Sequence, residues 1–171
     1  MNNDSIKIQN ATAAQVPEIH ALINFYAELD KMLFRSKADI YENLQLFITA
    51  EQNTNNTRNS ANKTDDNNPH GRVVGCCALQ VMDSDLAEIK SLAVKENARG
   101  KGIGRKLVQA GLQKAADLKV SQVFVLTLEP EFFKKLGFKP VDRQSLPMKV
   151  WKDCARCPKQ DQCDETALII H

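Results

Sequence analysis

The stretch "AEIKSLAVKENARGKGIGRKLV", residues 87–108, decides how the rest of the chain is read. Its first part alternates as a strand does, with Glu88, Lys90, Leu92 and Val94 on one face and Ile89, Ser91 and Ala93 on the other. Gly100, Gly102 and Gly104 then fall at alternate positions, and a helical pattern, "KLVQAGLQKAADLK", follows. Strand, arginine, glycine-rich turn and helix together make a place for an anion. Glycines let backbone N–H groups come close, and a helix N-terminus adds the positive end of its dipole. Arg99, Lys101, Arg105 and Lys106 surround the turn with positive charge.

Two familiar nucleotide loops do not fit. The dinucleotide fingerprint G-x-G-x-x-G needs a different glycine spacing, and an acidic residue at the end of the next strand, which "QVFVLTL" lacks. The ATPase phosphate loop needs Gly-Lys-Ser/Thr at a fixed distance, which is also missing. A cradle for another pyrophosphate remains, beside the plain alternative of a solvated glycine corner.

Outward from this segment the chain alternates strands and helices. "IKIQNA" reads as a first strand. A helix from about Ala13 to Leu29 places Val16, Ile19, Leu22, Ile23 and Tyr26 on one face. "DIYENLQLF" reads as a second helix, with "LFITAE" turning to strand. "RVVGCCALQVM" and "QVFVLTL" read as strands, and "PEFFKKLGF" as a short helix capped by Gly137. Between two strands lies an Asn-rich tract, about residues 53–70. Seven of the sixteen residues from Asn53 to Asn68 are Asn, so the tract has no apolar surface to bury and reads as a mobile loop at a hairpin tip. A chain of 171 residues, 43% hydrophobic, suits one domain, and a net charge of +2 gives no reason to expect nucleic acid as a partner. No apolar run reaches the roughly 20 residues of a membrane span. The N-terminus lacks a signal-peptide core, so a cytoplasmic location with reduced thiols is expected.

Residues 87–108 closely resemble the acetyl-CoA-binding core of the GCN5-related N-acetyltransferases (GNAT). That family carries Arg/Gln-x-x-Gly-x-Gly/Ala after its fourth strand, and Arg99, Gly102 and Gly104 stand at those positions. The likeness runs on through "QVFVLTL" and "EFFKKLGFKPVD". It implies an α/β single-domain acyl-CoA N-acyltransferase fold over residues 1–150, a mixed, mostly antiparallel sheet flanked by helices, with a cysteine-bearing tail over residues 151–171. It also implies that the pantetheine arm of acetyl-CoA runs along Leu92, Ala93 and Val94. The pyrophosphate would then sit on Arg99, Gly100, Lys101, Gly102, Ile103, Gly104 and Arg105.

Within the family, "MLFRSKADIYENL", "VVGCCALQVMDSDLAEIKSLAV" and the tail "LPMKVWKDCARCPKQDQCDE" are similar to short-form N-acetylglutamate synthases. The implied reaction is acetylation of the α-amine of glutamate, the first step of arginine biosynthesis. Glutamine, another small amine, or a degenerate acyl-CoA- or metal-binding sensor are the alternatives. Longer members carry an Arg-Ser pair after the fifth strand that grips glutamate; here the chain reads Leu128-Glu129-Pro130, and an acidic residue there repels a carboxylate.

The chemistry needs a neutral amine, a polarised thioester and a proton for the leaving thiolate. Glu88 is the candidate base, directly or through one water, with a structural strand carboxylate as the alternative. The Leu92 N–H is the candidate oxyanion donor. Family members commonly use a Tyr in the last helix as general acid, where this chain has Phe132-Phe133. Arg35 is the candidate for the acceptor carboxylate, because a guanidinium forks onto one. Lys90 and Ser91 share the strand with Glu88 and are further candidates, each with a plain structural alternative. In the tail, Cys154, Cys157 and Cys163 follow C-x2-C-x5-C, a spacing open to zinc with a fourth ligand, to redox chemistry, or to three plain thiols. A homodimer is likewise left open.

Overall fold

Alternating strands and amphipathic helices assemble into one seven-stranded sheet with a helix packed on each face. The computed structural model of the protein describes residues 5–53, 72–147, 151, 153, 155, 157 and 163–171. In chain order the elements are β1 (Ile6–Asn10), α1 (Val16–Glu28), α2 (Lys37–Glu42), β2 (Phe47–Gln52), β3 (Arg72–Asp83), β4 (Leu86–Val94), α3 (Ile103–Asp117), β5 (Gln122–Thr127), α4 (Pro130–Lys134), β6 (Lys139–Pro140) and β7 (Thr166–Ile170). The sheet order is β1-β2-β3-β4-β5-β7-β6, with β4 and β5 parallel and every other pair antiparallel. No helix among the described residues is long and apolar enough to cross a membrane.

Two cores follow from the two sheet faces. Val16, Ile19, Leu22, Ile23 and Tyr26 of α1 bury the expected stripe against Phe47, Cys76, Ala78 and Ala93. On the other face Ile103, Leu107 and Val108 of α3 pack on Ile48, Val74, Cys77, Leu79 and Ile89. Cys76 and Cys77 therefore bury in opposite cores, and burial, against a smaller downward pull from Lys114, pushes the Cys77 thiol up to about 12. Both act as small apolar residues.

Three readings change. The second helix ends at Glu42 rather than running on to Phe47; after a short 3-10 turn at Leu44–Leu46, Phe47 already pairs with Ala78 in the sheet. The C-terminal residues are more than a tail: Thr166–Ile170 inserts between β5 and β6, and Leu168 is fully buried. The third change concerns the faces of β4. Ala78 pairs with Lys90 but Cys76 with Ala93, so three steps on β4 oppose two on β3. This extra residue is a β-bulge, and Ser91 takes the left-handed conformation there, φ 53°. Beyond the bulge the faces exchange. Leu92 and Val94 join the α3-side core with Ile89, while Ala93 joins the α1-side core.

The Asn-rich tract connects β2 to β3, which pair antiparallel as a hairpin requires; residues 54–71 themselves lie outside the described ones. Gly137 has φ 97°, and the N–H groups of Gly137 and Phe138 close α4 onto the carbonyls of Lys134 and Phe133, the expected glycine cap.

Candidate active site

β4 and β5 pair only through Leu86, Ala87 and Glu88 and then diverge. The register with β3 skips Ser91 and Leu92 as well. A cavity of about 670 Å³ opens where the strands part. Its wall carries Arg35, Glu88, Lys90, Ser91, Leu92, Ala93, Val94, Arg99, Gly100, Gly102, Ile103, Gly104 and Arg105. Of the candidates near the glycine turn, Lys101 alone is not on this wall; its side chain is exposed.

At one end of the cavity stands the glycine turn. Gly100 and Gly102 have φ of 76° and 73°, and no atom lies within 4 Å of where a Cβ would be built on either. The backbone conformation excludes most side chains, and the space in front of it is open. Gly102 caps α3, and the first intrahelical bond runs from the Lys106 N–H to its carbonyl at 3.1 Å. The N–H groups of the first turn have no partner within the helix and a favourable dipole. Such an end accepts a phosphate, so the residues present fit the pyrophosphate of acetyl-CoA. Gly104 differs: a Cβ there would lie 3.3 Å from the Phe132 ring, so its small size also serves the packing of α4.

At the other end are the charged groups. Arg35 precedes α2, and Asn24 of α1 holds it in both directions, accepting from the Arg35 N–H at 3.1 Å and donating to its carbonyl at 3.2 Å. His20 Nε2 lies 2.9 Å from the Asn24 amide nitrogen. The Arg35 guanidinium bonds Asp153 at 2.8 Å and Asp39 at 3.3 Å. Lys90 bonds the same Asp153 oxygen at 3.0 Å. Burial would push the Asp153 carboxyl up, but these two cations outweigh it and hold it below the ordinary value.

Glu88 is 9% exposed, and its carboxylate makes no hydrogen bond or ion pair among the described residues. Lys90 therefore does not neutralise it directly, since its ammonium bonds Asp153. Burial is the main reason that the Glu88 carboxyl rises to about 7; Lys90 and Arg35 pull it down, and Asp153 and Glu165 push it up. A carboxyl with this value is half ionised near neutrality, as proton transfer requires.

Several wall residues had no signal in the sequence. Tyr26 reads as core from its helical spacing, and its ring is indeed 3% exposed. Its hydroxyl nevertheless bonds both Val94 and Arg99. Asp153 and Glu165 sit among the tail cysteines in sequence, and only the insertion of β7 carries that part of the chain to the cavity. Cys157 and Cys163 line a second cavity of about 340 Å³ that shares Lys31, Met32, Leu33, Leu128 and Glu165 with the first. No group of three or more His, Cys, Asp or Glu able to hold a metal occurs among the described residues; Cys154 lies outside them.

Comparison with known proteins agrees with this geometry. The family described as Acetyltransferase (GNAT) domain matches residues 60–140. An uncharacterised N-acetyltransferase of Chlorobaculum tepidum is 38% identical over 162 residues, 95% of this chain and 94% of that protein. An amino-acid acetyltransferase of Mycobacterium tuberculosis is 35% identical over 149 residues, 87% of this chain and 77% of that protein. Among solved structures, Rv2747 from Mycobacterium tuberculosis, in complex with CoA, superposes with a TM-score of 0.73 at 29% identity, covering 96% of this chain and 98% of that one. N-acetylglutamate synthase from Neisseria gonorrhoeae, complexed with coenzyme A and N-acetyl-glutamate, gives 0.78 at 26% identity, covering 96% of this chain and 34% of that longer one. With its sheet, its glycine turn and these relatives in agreement, the chain belongs to the GNAT acetyltransferase family.

Proposed function

We propose that this protein transfers the acetyl group of acetyl-CoA to the α-amine of a free amino acid, L-glutamate, by direct attack in a ternary complex. It would then be a cytoplasmic N-acetylglutamate synthase opening arginine biosynthesis. One observation carries the reading: Arg35 and Lys90 converge on a single carboxylate in the cavity whose wall also holds Glu88 and the glycine turn. A site with two cations at its head suits an anionic acceptor and disfavours a polyamine. The names of the relatives, amino-acid acetyltransferase and N-acetylglutamate synthase, support the same class.

In this reading the turn from Arg99 to Arg105 takes the pyrophosphate, and the backbone of Leu92, Ala93 and Val94, unpaired by β5, takes the pantetheine amides. The acceptor nitrogen attacks the thioester carbon. A C–N bond forms and the C–S bond breaks. The amine proton passes to Glu88, directly or through water, while the Leu92 N–H steadies the carbonyl oxygen and the thiolate takes a proton from solvent. Ser91 contributes by its bulge, which takes Leu92 out of the register with β3.

Glutamine is the second reading, favoured by Glu129 on the cavity wall and by the occupancy of Arg35 and Lys90 by Asp153. The test is product identification by mass spectrometry after incubation with acetyl-CoA and glutamate or glutamine. N-acetylglutamate supports the first reading and N-acetylglutamine the second. Neither product from either amino acid removes both.

A further inference from the structure

Asp153 Oδ2 lies 2.8 Å from Arg35 Nη2 and 3.0 Å from Lys90 Nζ, so one oxygen of the chain's own carboxylate bridges both cations of the acceptor end. The partners are 118 and 63 residues away in sequence, and Asp153 belongs to no strand or helix. The sheet does not need this contact. What it resembles is a bound ligand: a carboxylate held by an arginine and a lysine.

The charge balance follows. Arg35 and Lys90 bring two positive charges to the cavity, and Asp153 cancels one. Asp39 pairs with Arg35 from outside the cavity wall, while Glu88 on the wall lies within electrostatic reach of Arg35, Lys90 and Asp153 and adds no positive charge. An acceptor with one carboxylate meets a seat with one spare cation. A dicarboxylate asks for both, and must compete with Asp153 for one of them. The geometry points to Asp153 as a specificity-determining residue: by occupying one cation of the Arg35–Lys90 pair it narrows the advantage of a dicarboxylic acceptor such as glutamate over an amino acid with a neutral side chain. This rests on reading Arg35 and Lys90 as the carboxylate seat.

The test compares the wild type with Asp153→Asn, which keeps the shape of the side chain and removes its charge. The expected result is a rise of about tenfold in the ratio of kcat/KM for glutamate to that for glutamine, equivalent to about 1.4 kcal/mol, carried mainly by a lower KM for glutamate. Asp39→Asn is the control, because Asp39 also bonds Arg35, at 3.3 Å, but does not line the cavity. Its ratio is expected to stay within about twofold of wild type (under 0.5 kcal/mol).

A second readout does not depend on turnover. Glutarate, a dicarboxylate without an amine, is titrated into each protein by calorimetry, and Asp153→Asn is expected to bind it about tenfold more tightly. An unchanged kinetic ratio in Asp153→Asn, an equal shift in Asp39→Asn, or unchanged glutarate binding overturns the proposal. Failure of the amino-acid reading is recognised separately, as absence of turnover with both amino acids while the glutarate titration still decides the role of Asp153.

Discussion

The Tyr26 hydroxyl accepts a hydrogen bond from the Arg99 guanidinium at 3.0 Å, and the guanidinium also lies 5.2 Å from the centre of the same ring. The hydroxyl in turn donates to the Val94 carbonyl at 2.6 Å. A core residue of α1 thus ties the end of β4 to the arginine that opens the glycine turn. Tyr26→Phe keeps the buried ring and removes both bonds. It is expected to raise the KM for acetyl-CoA by about fivefold, about 1 kcal/mol, with a small change in kcat. Steady-state kinetics at saturating acceptor check this; an unchanged KM would mean that Arg99 needs no such anchor.

Glu88 ties rate to pH. With its carboxyl near 7, the ionised fraction rises from about one tenth at pH 6 to about nine tenths at pH 8. The wild-type rate is expected to climb through this window, and Glu88→Gln to lose the step together with about 100-fold or more in kcat. Stability moves the other way. A carboxyl raised by burial stabilises the fold while neutral, and this contribution is lost as pH rises through about 7. Relative to Glu88→Gln, the wild type is therefore expected to melt progressively lower between about pH 5 and pH 8.

Arg35→Ala removes one arm of the carboxylate seat. The expected effect is a 10- to 100-fold rise in acceptor KM, about 1.5–3 kcal/mol for a charged hydrogen bond, with acetyl-CoA KM unchanged. Because Arg35 pulls the Glu88 carboxyl down, its loss is also expected to move the midpoint of the pH profile upward.

α3 approaches β4 over Gly111, where a Cβ would lie 3.0 Å from Ile89 Cδ1. Gly111→Val is expected to cost about 1–3 kcal/mol by overpacking. Ile89→Val in the same chain shortens the opposing side chain and is expected to recover part of it. Thermal melts of the two single variants and the double variant give the coupling.

The glycine turn, the α1 stripe and most strands were legible in the sequence because each rests on local periodicity or on backbone freedom. The bulge at Ser91 was not, since one extra residue in a strand leaves the pattern on either side intact. Strict alternation therefore puts Leu92 and Val94 on the wrong face. β7 escaped because "TALII" is a short apolar run after a cysteine-rich stretch, and only its pairing with β5 makes it a strand. The placement of Asp153 depends on that pairing, so half of the acceptor end had no sequence signal. In the sequence Arg35 and Lys90 stand as separate candidates, and nothing in their spacing shows that one carboxylate joins them.

The claim that Arg35 and Lys90 seat an amino-acid carboxylate is tested most directly by thiol release from acetyl-CoA with glutamate, glutamine, putrescine and γ-aminobutyrate, which is glutamate without its α-carboxylate. The account predicts turnover with glutamate or glutamine at least about tenfold above either amine that lacks an α-carboxylate in kcat/KM. Equal or faster turnover with putrescine or γ-aminobutyrate, or no release with any acceptor, would contradict it.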